Sequence, residues 1–212
     1  MRYLVFSDIH GNLPALETLL QKEVVDAYIN LGDVVNYAPW SNECAELIHS
    51  LNQCTNIVGN HEEYFISKKS KAKHPLVSLF FEVCFPSFKH HDLISKYKSS
   101  ESIEGFLFKH THNKQYIFSD TAVDIAQNTV IGHSHQQFSR RIDNHLLINP
   151  GSAGQNREFI NLGEYAIWDL SKDTFELKYF TFDIDIVINE MKARKFPIAC
   201  IEYYQNKKRV NV

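Results

Sequence analysis

Asp8 and His10 stand one residue apart directly after the apolar run Tyr3-Leu4-Val5-Phe6. Such a run reads as a buried strand, and where the backbone turns at its end both side chains can face one cleft. A carboxylate oxygen and an imidazole nitrogen delivered together are ligands for a divalent metal ion. The arrangement recurs along the chain. Ala27-Tyr28-Ile29-Asn30-Leu31 ends in Gly32-Asp33, and Thr55-Asn56-Ile57-Val58 ends in Gly59-Asn60-His61-Glu62. Phe106-Leu107-Phe108 leads into Lys109-His110-Thr111-His112, and Thr129-Val130-Ile131 into Gly132-His133-Ser134-His135. Any one of these residues alone would more often be a turn former or a satisfied core histidine. The whole series supplies about as many donors as two metal ions require.

With first-row divalent ions taking four to six ligands each, two ions need a carboxylate that bridges, and Asp33 is central in the series. Asp8, His10 and His135 would complete one ion, and Asn60, His110 and His133 the other. The neutral Asn60 amide keeps the site positive enough to attract phosphate. His61 is left over. Next to Asn60 but not needed as a ligand, it has a nitrogen free for proton transfer near neutral pH. His112 would project to the opposite side of an extended segment from His110, so His110 is the expected ligand. His49, His74, His90, His91 and His145 end no such strand and are assigned no role.

These residues need elements to place them. Leu13, Leu16, Leu19 and Leu20 recur at helical spacing behind Asn12, an N-cap residue, and Pro14, tolerated in the first turn. Cys44, Leu47, Ile48 and Leu51 mark a second helix after Pro39. The resulting β-α-β-α-β order predicts a parallel sheet, with the polar turns at the carboxyl ends of its strands, where open α/β sheets bind ligands. The segment from Tyr64 to Tyr97 reads as helical and is expected to line a leaving-group pocket. Strands at Phe138 to Ile142, Leu146 to Ile148, Tyr165 to Leu170 and Phe175 to Phe182 predict a second sheet from the second half of the chain. Ile184, Val187, Ile188 and Met191 predict one closing helix, followed by a solvated tail with Lys207-Lys208-Arg209.

Composition narrows the function. A formal charge of −3 over 212 residues gives no global positive field for a long nucleic acid. No apolar stretch approaches a membrane span, and the strand beginning at Arg2 leaves no room for a signal peptide, so a cytoplasmic location is expected. Cys44, Cys54, Cys84 and Cys200 form no Cys-x-x-Cys pair and read as reduced packing residues.

Asp-x-His, Gly-Asp, Gly-Asn-His-Glu, a strand-end His and Gly-His-Ser-His occur here in the order used by calcineurin-like metallophosphoesterases, which the chain resembles. Gly32-Asp33-Val34-Val35-Asn36-Tyr37-Ala38-Pro39 and Asn149-Pro150-Gly151-Ser152-Ala153-Gly154-Gln155-Asn156-Arg157 are similar to signatures of its small single-domain phosphodiesterase branch. Thr111 and Ala38 depart from that pattern, since Gly is usual at both places. The resemblance implies an α/β fold, a four-layer α/β/β/α sandwich of two mixed sheets flanked by helices, with residues 1–212 as one domain. It implies two divalent transition ions, manganese foremost with iron, zinc, nickel or cobalt as alternatives. A hydroxide bridging them would attack phosphorus in a phosphodiester or phosphomonoester, and His61 would protonate the leaving oxygen. The substrate would be a small phosphate ester such as a nucleotide, contacted by Asn60, Asn12 and Arg157. Glu62 would orient a neighbouring ligand or simply start a helix in solvent. The alternative from another class is a catalytically silent scaffold of this fold that binds a protein partner.

Overall fold

The computed structural model describes residues 1–211. Its first half runs β1 (Arg2–Phe6), α1 (Leu13–Leu20), β2 (Ala27–Asn30), α2 (Ser41–Ser50), β3 (Cys54–Asn56), α3 (Asn60–Ser67), α4 (Pro75–Cys84), a 3-10 turn (Phe85–Ser87) and α5 (His91–Ile94). There follow β4 (Ser100–Ile103), β5 (Phe106–Lys109), β6 (Asn128–Val130), β7 (Gln137–Ile142), β8 (His145–Pro150), β9 (Leu162–Asp169), β10 (Thr174–Thr181), α6 (Ile184–Ala193) and α7 (Ile198–Gln205). The strands make two five-stranded sheets, ordered β10-β9-β1-β2-β3 and β4-β5-β6-β8-β7. Both are mixed. The parallel β1-β2-β3 core of the first is extended by antiparallel β9 and β10, and the parallel β5-β6-β8 core of the second is flanked by antiparallel β4 and β7.

The two-residue period of β1 decides the layering. Leu4 and Phe6 join a core with Leu16 and Leu19 of α1, Ile48 of α2 and Val187 and Met191 of α6. Val5 points the other way and, with Ile29, Ala166 and Trp168, meets Phe106, Phe108, Val130 and Ile148 of the second sheet. Each such fully buried side chain contributes about 1.5–3 kcal/mol. The outer face of the second sheet is covered by the irregular segment 111–127, where Ile117, Val123 and Ile125 pack on Ile131, Phe138 and Leu147.

The first three strands and first two helices lie where their spacing places them, and Asn12 caps α1 by accepting from the Ala15 N–H at 3.2 Å. Two expectations are corrected and one strand is added. Strands β9 and β10 belong to the first sheet, with Arg2 opposite Asp169 and Val5 opposite Ala166. The run Tyr165-Ala166-Ile167-Trp168 is buried at every residue, which requires a central strand packed on both faces, and the place beside β1 provides it. The polar Ser100–Ile103 stretch forms an edge strand paired with β5 through the positive-φ turn residues Glu104 and Gly105. The tail is docked and not simply solvated. A further helix, α7, follows α6 and buries Cys200 and Tyr204, Phe159 bridges Lys208, and Arg209 makes a bidentate pair with Asp185. No helix among the described residues is long and apolar enough to cross a membrane. The four cysteines are free, three of them buried, and burial pushes the Cys54 thiol up to about 12.

Candidate metal centre

The strand-end residues meet at the carboxyl ends of β1, β2, β5 and β6. The loops after β1 and β2 are stitched by backbone hydrogen bonds from Asp8 N–H to Gly32 O and from His10 N–H to Asp33 O, each 2.9 Å. The backbone there is unusual. Asp8, His10, Asp33, His133 and His135 all sit at positive φ, between 51° and 69°. This left-handed conformation costs roughly 1–2 kcal/mol per non-glycine residue, and its concentration at one place marks a site held against local preference. Glycine is needed where loops nearly touch: a Cβ at Gly59 would overlap Asp33 Oδ1, and one at Gly132 would overlap Ser7 Oγ.

Each carboxylate commits one oxygen to a backbone donor and leaves the other facing the centre. Asp8 Oδ2 accepts from His133 N–H at 3.0 Å, while Oδ1 is buried without a hydrogen-bond partner. Asp33 Oδ1 accepts from His61 N–H at 2.8 Å, while Oδ2 lies 3.2 Å from His110 Nε2, 3.9 Å from His10 Nε2 and 4.0 Å from His61 Nε2. The imidazoles are oriented from behind. Nδ1 of His10, His110 and His135 each faces a backbone carbonyl, of Val35 at 3.3 Å, Leu31 at 2.8 Å and Gln155 at 2.7 Å. Donation there fixes the tautomer and turns the Nε2 lone pair inward.

What converges is therefore a set of acceptors. His10 Nε2 and His135 Nε2 are 3.2 Å apart, and His135 Nε2 is 3.2 Å from Asp8 Oδ1. His110 Nε2 is 3.2 Å from Asn60 Oδ1 as well as from Asp33 Oδ2. Facing lone pairs in a buried pocket repel unless a cation joins them, so the donor set fits divalent metal ions. Asp8, His10 and His135 form one group able to hold an ion and Asp33, His110 and His133 another, while His10, Asp33 and His61 form a third that overlaps both. In the group by itself, a proton on His110 takes up part of that repulsion. Burial alone would raise Asp33, but His110 and His61 hold its carboxyl well below the usual range. Burial opposes charge on His110, and Asp33 overrides it, lifting the imidazole to about 10. Burial and the charge on His110 push His133 down to about 4.

Glu62 is an orienter. Fully buried, its carboxylate accepts from four backbone donors, the N–H groups of Asp33 at 2.7 Å, Val34 at 2.7 Å, Val35 at 3.2 Å and Gly59 at 2.8 Å. It caps the Gly59 N–H at the start of α3, the Glu half of a capping box, and clamps the Asp33 loop at once. Asn12 is fully buried, with Oδ1 capping α1 and Nδ2 donating one of its two hydrogens to Gly154 O at 2.7 Å. His110 points into the centre, whereas His112 Nδ1 lies 2.6 Å from Lys109 Nζ outside it. Arg157 is exposed, with its guanidinium 5.1 Å above the ring of Tyr116, which stacks on His133 at 4.0 Å.

Three neighbours of the centre carried no usable signal in sequence. Asn36 Nδ2 lies 2.9 Å from His61 Nδ1, Tyr37 meets the His10 ring edge-on at 4.8 Å, and Tyr116 covers His133. Glu62 was legible in part, as Glu at the third helical position after Gly59.

A family model for the calcineurin-like phosphoesterase superfamily domain matches residues 1–173. An uncharacterized protein of Methanocaldococcus jannaschii is 30% identical over 230 residues, covering 91% of this chain and 93% of its own. The crystal structure of a metallophosphoesterase from Sphaerobacter thermophilus superposes with TM-score 0.80 at 22% identity, over 97% of this chain and 99% of that one. A hypothetical protein of Pyrococcus horikoshii gives TM-score 0.80 at 15% identity, over 96% and 97% of the two chains. Both structures share the fold.

Proposed function

This chain belongs to the calcineurin-like phosphoesterase superfamily, and on that footing we propose that it is a hydrolase of phosphoester bonds that works with two divalent metal ions, manganese foremost. The observation that carries the reading is the adjacency of two acceptor clusters, Asp8-His10-His135 and Asp33-His110-His133, with Asp33 Oδ2 3.2 Å from His110 Nε2 of its own cluster and 3.9 Å from His10 Nε2 of the other. Asp8, His10, His135 and Asp33 would hold one ion, and Asp33, Asn60, His110 and His133 the other. When bound, such ions supply Lewis acidity to phosphoryl oxygens and acidify coordinated water.

The remaining work falls to the chain itself. Asn60, at the start of α3, presents its amide oxygen inward, and the positive end of that helix favours an anion beside it. His61 is buried and held by Asn36, with Nε2 on the side of Asp33, so it is placed to deliver a proton to the departing ester oxygen. Arg157 makes no ion pair among the described residues and is free to bind phosphate oxygens in the bidentate manner of a guanidinium. The substrate class is a small phosphate ester, mono- or diester.

The test is hydrolysis of bis-p-nitrophenyl phosphate by purified protein supplied in turn with Mn²⁺, Fe²⁺, Zn²⁺, Ni²⁺ and Co²⁺. Turnover that a chelator abolishes and added metal restores supports the reading. Absence of turnover with every ion favours the scaffold instead.

A further inference from the structure

A groove of about 870 Å³ lies between α4 and α7, lined by none of the acceptor-cluster residues. Its floor and sides include Leu76 and Leu79 from α4 and Ala199 and Tyr203 from α7. The Tyr203 ring packs on Tyr37 at 6.2 Å between centroids, and Tyr37 in turn meets His10 at 4.8 Å. Two ring contacts thus connect the groove to the metal centre.

At the junction stand two cations. Lys207 borders the groove, with its ammonium 4.7 Å above the Tyr203 ring and 3.1 Å from Arg157 O. Arg157 reaches the other way, over Tyr116 and so towards His133. Neither side chain makes an ion pair among the described residues. Two neighbouring positive groups without a carboxylate, one of them half-buried, are the electrostatic complement of an anion. Glu82 and Glu202 also line the groove. A second phosphate lying there would be repelled, whereas an uncharged ring or alkyl chain would gain from the apolar walls. The volume is that of a small-molecule pocket and exceeds what a phosphate fills.

We propose that the groove between α4 and α7 is the subsite for the organic substituent of the ester, selecting a single phosphate that carries a large, uncharged aromatic or aliphatic group, with Lys207 and Arg157 holding the phosphate at the junction. The inference rests on the phosphoesterase reading and deepens it by naming the substrate class. Glu82 and Glu202 disfavour polyphosphorylated substrates, and very small esters leave the groove unused.

The test has a kinetic arm and a binding arm. With excess Mn²⁺, kcat/KM is measured for p-nitrophenyl phosphodiesters whose second ester is methyl, phenyl or naphthyl. It should rise about tenfold or more from methyl to naphthyl, chiefly through KM. Leu79→Glu, and from the opposite wall Ala199→Trp, should collapse that ratio. In the binding arm, naphthylmethylphosphonate is titrated by its fluorescence into protein with and without Mn²⁺. Either variant should weaken binding about tenfold, and Lys207→Met should weaken the phosphonate but not naphthylmethanol. Equal kcat/KM across the esters, or phosphonate binding indifferent to both groove variants, overturns the assignment even in an active enzyme. Groove-dependent phosphonate binding without turnover of any ester supports the subsite and overturns only the hydrolase reading. A dimer in sedimentation that Leu79→Glu dissolves would mean that a second copy of the chain fills the groove, and overturns it.

Discussion

The side-chain amide of Asn36 lies 2.9 Å from Nδ1 of His61, while Asn36 Oδ1 is buried without a partner. Half a turn of the amide exchanges the two atoms, so the one contact serves the neutral ring as donor and the protonated ring as acceptor. On the proposed role of His61, Asn36 is a positioning residue for a ring that gains and loses a proton. Asn36→Ala should retain metal and lose about 10- to 100-fold in activity. The loss should be larger on alkyl than on p-nitrophenyl esters, and a uniform loss across leaving groups would make Asn36 merely structural.

The same comparison tests His61 directly. His61→Ala should lose about 10² to 10⁴ in kcat/KM on alkyl or nucleoside esters, the cost of removing a general acid. With p-nitrophenol, which departs well as an anion, the loss should shrink markedly. Equal losses with metal intact would mean that His61 stabilises phosphoryl oxygens. Loss of metal would make it a ligand, as its place beside His10 and Asp33 allows.

Glu62 accepts from four backbone N–H groups around Asp33 and Gly59. Glu62→Gln presents amide hydrogens where acceptors are needed and strands buried donors, each costing about 1–3 kcal/mol. A drop in unfolding free energy of at least about 2 kcal/mol is expected, together with weaker metal binding, from denaturant titration and equilibrium dialysis. An unchanged midpoint would remove the clamp from the account.

The candidate ligand residues were legible because each follows an apolar run and precedes a turn, a local pattern that spacing alone reveals. Asn36 and Tyr37 were not, since they follow Asp33 in a loop and become neighbours of His61 and His10 only through tertiary packing. The sheet assignment failed for a related reason. Tyr165-Ala166-Ile167-Trp168 announces a doubly buried strand but not which sheet will bury it, and the pairing with β1 spans nearly the whole chain. Asn12 shows the converse. Its helix-capping role follows from local sequence, but its second hydrogen bond, to Gly154, is long-range and appears only in the fold.

Glu164 provides a pH signature away from the metal centre. Burial raises its carboxyl to about 7, and Oε2 has no hydrogen-bond partner. A carboxyl raised in the folded state binds more protons there than in the unfolded chain, so its contribution falls as pH rises from the unfolded value through about 7. Glu164→Gln should therefore raise Tm at pH 8, by an amount that shrinks as pH falls towards 4. A shift independent of pH would show that Glu164 does not titrate in this window.

The central claim is that Asp33 joins two ions into one working centre, and turnover of bis-p-nitrophenyl phosphate against Mn²⁺ bound per chain tests it most directly. The account predicts that folded wild-type protein binds two ions and that turnover follows occupancy of the second, with Asp33→Asn losing both ions and activity together. Full turnover with one ion bound, or two ions bound and full activity in Asp33→Asn, would contradict it.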